Sequence, residues 1–264
     1  MALLEPNRDS NMNTSQPTAA VLLIGDEILS GRTKDKNLGF LADYLTALGI
    51  DLKEARVVSD AEEEIAAAVN ALRSRYTYVF TTGGIGPTHD DITADAVAKA
   101  FGVAIDHDPK AVDILLAYFK EIGREPNEAR LRMARIPVGA TLIDNPVSKA
   151  PGFQLGNVFV MAGVPKIMNA MMEDVATRLT KGVPMQSRTI EFRGGEGDVA
   201  KPLGEIQKAY PAVVIGSYPF QAADGFATNL VLRSRDEAVL EQAFAAVKAM
   251  ADELVTAGKA RGWS

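Results

Sequence analysis

The stretch Thr81-Thr82-Gly83-Gly84-Ile85-Gly86-Pro87-Thr88-His89-Asp90-Asp91-Ile92-Thr93 decides both the fold and the site. It completes an apolar segment, Tyr76 to Thr82, that predicts a strand. Glycines let backbone N–H groups approach an anion closely, and the N-terminus of a following helix carries partial positive charge. Paired carboxylates can hold a divalent metal or polarise a water. The stretch therefore predicts a seat for a phosphorylated ligand, and the alternative is a plain strand-to-helix turn that needs small residues.

The composition of the chain excludes several classes of protein and of site. The chain has 264 residues, a formal net charge of -6, two histidines and no cysteine. Scattered lysines and arginines on an acidic chain argue against nucleic acid as a partner. Any phosphate is therefore expected to be bound by local donors and not by a broad positive surface. The absence of cysteine excludes disulfides, thiolate nucleophiles and cysteine-ligated metal. Any metal is therefore expected to be oxygen-ligated, as magnesium is.

The first residues, 1–17, are polar and lack the apolar region of a signal peptide, so they predict a disordered tail. Apolar runs elsewhere are short and interrupted by charges, which argues against a membrane span. These features predict a cytoplasmic protein.

From Ala19 onward, short apolar runs alternate with amphipathic segments, which is typical of a mostly parallel sheet covered by helices. Asp60 followed by Glu63 resembles a capping box that opens a helix. The predicted strands are Ala19–Ile24, Asp51–Val58, Tyr76–Thr82 and Val158–Ala162.

Acidic residues follow the predicted strands, and ligands of open α/β sheets bind beyond the carboxyl ends of the strands. If the strands are parallel neighbours, five acids rim one cleft: Asp26, Glu27, Asp60, Asp90 and Asp91. Two alternatives stay open, since Asp60 could be a helix cap and Glu27 a solvated loop residue.

The segment Asp144 to Phe153 contains two prolines and a glycine and predicts a shaped loop. Lys149 is its one cation. It either neutralises a phosphate or is simply solvated.

Four motifs in order resemble the molybdopterin-binding domain family (MoaB/Mog-like): Gly25 to Gly31, Gly83 to Thr93, Asn145 to Phe153, and Gly163-Val164-Pro165. The likeness is greatest to the amino-terminal part of competence/damage-inducible protein A (CinA-like) and to the related domain of eukaryotic FAD synthase. It covers residues 18–183 and implies a three-layer α/β/α fold around a mostly parallel sheet. Ile85 is a departure, because many transferases of the family have threonine there.

The resemblance also implies roles for individual residues. The phosphate of a pterin or nucleotide is expected on Gly83, Gly84 and Gly86. Thr88, Thr93, Asn145 and Lys149 are the further expected ligand contacts. The catalytic candidates are Asp60, Asp90 and Asp91, and the candidate metal ligands are Asp26, Glu27, Asp90 and Asp91.

Residues 185–264 change character. They predict a small α+β domain with the order β-α-β-β-α, which resembles half of a ferredoxin-like sandwich. No cluster of acids or histidines occurs there, so the domain is expected to serve packing or a homo-oligomer interface, in a dimer or trimer.

Three functions remain open from the sequence. The first is a metal-dependent pyrophosphatase acting on ADP-ribose-like or FAD-like molecules, which the resemblance implies. The second is a non-hydrolytic molybdopterin-binding protein of molybdenum cofactor biosynthesis, and the third is a module that only senses a nucleotide. One site geometry serves several chemistries, so fold analogy does not choose among them.

Overall fold

The computed structural model describes residues 16–223, 225–258 and 260–262. The chain divides into two compact units, of which the first ends at Gly182 and the second begins at Val183. The predicted disordered tail lies outside the described residues, apart from Gln16 and Pro17. No helix in the described part of the chain is long and apolar enough to cross a membrane.

The first unit is built on a six-stranded sheet. The described residues of this unit form the strands β1 (Thr18–Ile24), β2 (Asp51–Val58), β3 (Tyr78–Thr82), β4 (Ile105–His107), β5 (Arg135–Pro137), β6 (Thr141–Ile143), β7 (Gly152–Leu155) and β8 (Val158–Met161). The main sheet has the order β2-β1-β3-β8-β7-β6, and β4 pairs with β5 separately. The first four strands of that order are parallel, whereas β7 and β6 are antiparallel to their neighbours.

Helices cover both faces of the main sheet. They are α1 (Asp26–Leu29), α2 (Asn37–Ala47), α3 (Glu62–Arg73), α4 (Thr93–Phe101), α5 (Pro109–Glu121), α6 (Glu128–Leu131) and α7 (Pro165–Ala176), with a 3₁₀ turn, η1, at Arg132–Ala134. Alternate residues of β1 enter different cores: Leu22 packs with residues of α3, α4 and α5, and Leu23 with residues of α2 and α7. A strand buried on both faces is what a covered parallel sheet requires. The predicted three-layer α/β/α fold is confirmed.

The carboxyl ends of the parallel strands meet at one edge. Ile24 pairs with Val58, and Thr82 pairs with both Leu23 and Met161. The loops after β1, β2, β3 and β8 therefore leave the sheet side by side, as the sequence predicted.

Three features of the first unit differ from the sequence-based prediction. The segment predicted only as a loop also contains the start of β7, and β4, β5 and β6 were not predicted. Strands of three or four residues are too short to show a period of two. Asp60 does not cap α3, because the N-cap of that helix is Ala61, without a side-chain hydrogen bond. The Asp60 carboxylate instead accepts a bond from the backbone N–H of Asp26, which a local motif could not reveal.

The second unit follows the predicted β-α-β-β-α order: β9 (Gln186–Phe192), α8 (Glu196–Ala209), β10 (Val214–Ala222), β11 (Gly225–Ser234) and α9 (Glu237–Thr256). The strands form an antiparallel sheet in the order β10-β11-β9. Its core includes Phe192, Leu230 and Val247. Asp236 caps α9 by accepting the N–H of Val239 at 3.1 Å, as expected for this residue type.

The turn after β3 requires two residues without a side chain. Gly83 and Gly84 have φ values of 107° and 66°. A Cβ at Gly83 would overlap the carbonyl oxygen of Ile24, and one at Gly84 would overlap the hydroxyl of Thr93. Positive φ and close packing both exclude larger residues here.

We expect Gly84→Ala to lower the free energy of unfolding by about 3 kcal/mol, since it combines a strained φ with overpacking. Gly102→Ala is the matched control, because Gly102 has a φ of 68° but nothing within 4 Å of a Cβ. The control should lose only about 1 kcal/mol. Urea unfolding of the two variants measures both, and equal losses would show that close packing at Gly84 contributes nothing.

Candidate functional site

Hydrogen bonds hold the glycine-rich turn at both ends. The N–H of Gly83 donates to the carbonyl of Met161 at 3.2 Å, and the N–H of Thr93 donates to the carbonyl of Gly84 at 3.0 Å. The Thr93 hydroxyl donates to the carbonyl of Gly83 at 3.0 Å, and Thr93 is fully buried. Thr93, predicted as a ligand contact, thus supports the turn from within the fold.

Asp91 is fixed against the same turn. Its Oδ2 accepts the backbone N–H of Thr88 at 2.8 Å and also the Thr88 hydroxyl. The backbone carbonyl of Asp91 lies 3.5 Å from Nη2 of Arg132. Thr88 therefore orients a carboxylate, which is the role the structure gives to its hydroxyl.

A cleft of about 520 Å³ opens beyond the carboxyl ends of the parallel strands. This size falls within the range of small-molecule sites. Three strand ends and the Asn145 loop contribute to its wall, and no single segment could form it. Predicted site residues on this wall are Glu27, Gly83, Gly84, Gly86, Asp91 and Asn145. We call this space the glycine-turn cleft.

Four carboxylates form an acid cluster beside β1 and β2: Asp26, Glu27, Asp60 and Asp90. Asp60 accepts the N–H of Asp26 at 2.9 Å. Burial raises the pKa of Asp60, and the negative charges of Glu27, Asp26 and Asp90 raise it further against the opposing effect of that hydrogen bond. The fold thus gathers like charges at some cost, which is common at functional sites and uncommon elsewhere.

The fit of a divalent metal depends on these oxygens. Within the described residues, no group of three or more His, Cys, Asp and Glu side chains is placed to hold a metal by itself. Glu27 and Asp91 line the glycine-turn cleft, whereas Asp26, Asp60 and Asp90 are not among its lining residues. Magnesium commonly uses one or two carboxylates together with water and substrate phosphate. The oxygen-only donor set fits a metal that binds with its phosphorylated ligand.

The loop after β6 is organised by Asn145, which is buried. Its Nδ2 donates to the Ser148 hydroxyl and to the carbonyl of Ala150, both at 2.7 Å, while its Oδ1 accepts the N–H groups of Val147 and Ser148. Asn145 therefore both shapes the loop and lines the cleft. Lys149 has a φ of 62°, a conformation uncommon for a residue with a side chain.

Sequence reasoning missed several contributors. Asn37 donates to the carbonyl of Gly163 at 2.8 Å and so ties α2 to the turn after β8. Asp95 accepts both Nη atoms of Arg135, at 2.9 and 2.6 Å, and lies 3.7 Å from Nη2 of Arg132. Both arginines come about 40 residues after the acids that they contact, and only the fold brings them to the glycine-rich turn.

Comparison with known proteins places both units. Residues 20–181 match the model of the probable molybdopterin binding domain, and residues 184–258 match that of the FAD synthase middle domain. A protein of Pyrobaculum calidifontis is 36% identical over 212 residues, which are 77% of this chain and 81% of that relative. A protein of Thermococcus kodakarensis is 34% identical over 85% of this chain and 93% of its own length.

The CinA-like relatives are longer proteins. The CinA-like protein of Desulfosudis oleivorans is 39% identical over 159 residues, which cover 59% of this chain and only 38% of that relative. The crystal structure of CinA from Thermoplasma acidophilum, described as of unknown function, superposes with a TM-score of 0.57 at 34% identity. That match covers 61% of this chain and 97% of the solved one.

The glycine-rich turn, its strand-end position and the match over residues 20–181 agree. The chain therefore belongs to the probable molybdopterin binding domain family, in its CinA-like branch, and carries a second domain of the FAD synthase middle-domain type.

Proposed function

We propose that this protein is a metal-dependent pyrophosphatase that hydrolyses the P–O–P bond of small molecules linked through a nucleoside diphosphate, such as ADP-ribose or FAD. The observation that carries the proposal is one cleft in which Glu27 and Asp91 face the backbone turn Gly83 to Gly86. A carrier needs the turn, but it gains nothing from carboxylates that repel a phosphorylated ligand.

Different residues bind the pyrophosphate and accept the proton of the attacking water. The backbone N–H groups of Gly84 to Gly86, which line the cleft, receive the pyrophosphate, whereas the N–H of Gly83 already donates to Met161. Asp91, held by Thr88, takes a proton from the water that attacks one phosphorus. The new P–O bond forms as the bridging P–O bond breaks, so that two phosphomonoesters leave.

Glu27 is the cleft residue that would hold a divalent cation, with Asp26, Asp60 and Asp90 as the neighbouring acids, while Asp91 accepts the proton. When bound, such a cation supplies charge neutralisation at the non-bridging phosphoryl oxygens and acidifies water. The described residues that line this cleft include no lysine, arginine or histidine, which is why the proposal requires the metal.

A non-hydrolytic ligand is the second candidate, and membership of the family favours it. In that case a phosphorylated pterin such as molybdopterin would lie against the Asn145 loop, which the side chain of Asn145 shapes. A nucleotide sensor would use the same cleft without turnover.

We expect Asp91→Asn to lower turnover of ADP-ribose or FAD by about 10²-fold or more, because the proton acceptor is lost while the size of the side chain is kept. Release of AMP in the presence of magnesium, manganese or cobalt measures this effect. Asp113→Asn is the control, since Asp113 is an exposed acid of α5. Substrates that stay intact with every metal, although the wild-type protein binds them, would replace the hydrolase with a carrier or sensor.

Asp60→Asn separates function from stability. An asparagine oxygen can still accept the N–H of Asp26, while the charge that Glu27, Asp26 and Asp90 oppose is removed. We expect an unchanged or higher melting temperature and a magnesium requirement raised about tenfold. A lower melting temperature with an unchanged magnesium requirement would make Asp60 a structural residue only.

A further inference from the structure

A second cleft lies beside the first and takes no part in the proposed hydrolysis. Its volume is about 540 Å³, and it is lined by Pro87, His89, His107, Glu128, Ala129, Arg132 and Arg135. Pro87 lines both clefts and forms the ridge between them. The chain has two histidines in 264 residues, and both lie on this wall. We call it the histidine-arginine cleft.

Separate elements bring these side chains together. His107 ends β4 and pairs across the antiparallel ladder with Arg135 at the start of β5. Arg132 belongs to η1, and His89 follows the glycine-rich turn. The wall is thus a product of the fold, and its donors come from three segments of the chain, at His89, at His107 and at Arg132 to Arg135.

Arg132 retains capacity to bind an anion. Arg132 uses Nη2 toward Asp91 and Asp95, while its Nε is buried and has no hydrogen-bond partner. Its Nη1 makes no bond within the described residues. Asp95 is the acid that faces both arginines, so this group of three side chains keeps one net positive charge. A buried donor without a partner such as Nε is costly, and Nη1 is the group of Arg132 that is left to donate to a ligand oxyanion.

Acidic residues near this wall restrict where an anion can bind. Glu128 lies on the cleft itself, and Asp106 is 3.8 Å from Nδ1 of His107. Both are exposed, so water screens their charges, whereas Arg132 and Arg135 are partly buried. The deeper groups are the cations, and the oxyanion is therefore expected on the inner part of the wall.

We propose that the histidine-arginine cleft binds the phosphate group of a phosphomonoester, held by Arg132 together with His89 and His107. Guanidinium and imidazole N–H groups are strong donors to phosphate oxygens. The volume admits a molecule of the size of a mononucleotide. This cleft therefore extends the proposed function, because hydrolysis of a P–O–P bond produces two phosphomonoesters.

The two histidines make the proposal directly measurable. In the full chain without a histidine tag, each imidazole Cε1–H gives one NMR signal, assigned with His89→Gln and His107→Gln. Titration with inorganic phosphate, ribose 5-phosphate and AMP should shift both signals saturably. Adenosine and acetate should shift neither. A response to all three phosphates shows that phosphate alone is recognised, while a response to AMP alone shows that the nucleoside is also needed.

Variants that change one charged or polar side chain test which residues of the wall affect binding of AMP. His107→Gln should weaken AMP binding about tenfold, the loss of one charge-assisted hydrogen bond. Glu128→Gln should strengthen it about twofold, because a like charge leaves the wall. Lys208→Gln, an exposed lysine of α8 in the second unit, should change nothing. A cation site would show the opposite result for Glu128→Gln, with weaker binding of the metal.

The inference is overturned if neither histidine signal shifts, if only His89 shifts, which would place the phosphate at the glycine-rich turn, or if Glu128→Gln weakens binding. These measurements need neither metal nor turnover. Failure of the proposed hydrolysis therefore leaves this test intact, and failure here leaves the hydrolysis to be judged by the Asp91 variant.

Discussion

The close approach of the turn after β3 to its neighbours is the constraint on which the site depends. Gly83 packs against the carbonyl of Ile24 at the end of β1, and Gly84 packs against Thr93 at the start of α4. A side chain at either position would push the turn away from the sheet. The same contacts set the backbone of the turn at the edge where β1, β2, β3 and β8 end, and so the turn, Glu27 and Asp91 share one cleft.

Much of this arrangement could be predicted from the sequence because its signals are local. Apolar strands that end in glycines and acids predict a parallel sheet with its ligand at the carboxyl ends, and the four motifs predict the family. What could not be predicted depends on tertiary contacts. Asp60 has the spacing of a helix cap, yet its carboxylate accepts the backbone N–H of Asp26, which lies 34 residues earlier in the chain. The strands β4 and β5 are too short to show periodicity, so the wall that carries His107 and Arg135 could not be predicted from the sequence.

Charge is distributed unevenly across the ridge at Pro87. On one side the acid cluster accompanies the glycine-turn cleft, and on the other two arginines, two histidines and one exposed acid, Glu128, line the second cleft. The net charge of -6 conceals this separation, because composition counts charges without placing them. An acidic protein can thus bind phosphate where the fold exposes a few donors, and a cation bound with the ligand can compensate the acids at the other cleft.

Ile85 illustrates how one departure from the family pattern can favour one chemistry over another. The residue packs against the apolar core beneath α3 and α4 and also lines the glycine-turn cleft. A threonine there would offer a hydroxyl to the ligand, whereas isoleucine leaves the backbone N–H groups of the turn as its donors. Backbone donors hold any phosphate oxygen and do not read the group attached to it. In the proposed function, selection of the substrate would therefore come from the other walls of the cleft, namely the Asn145 loop and Glu27.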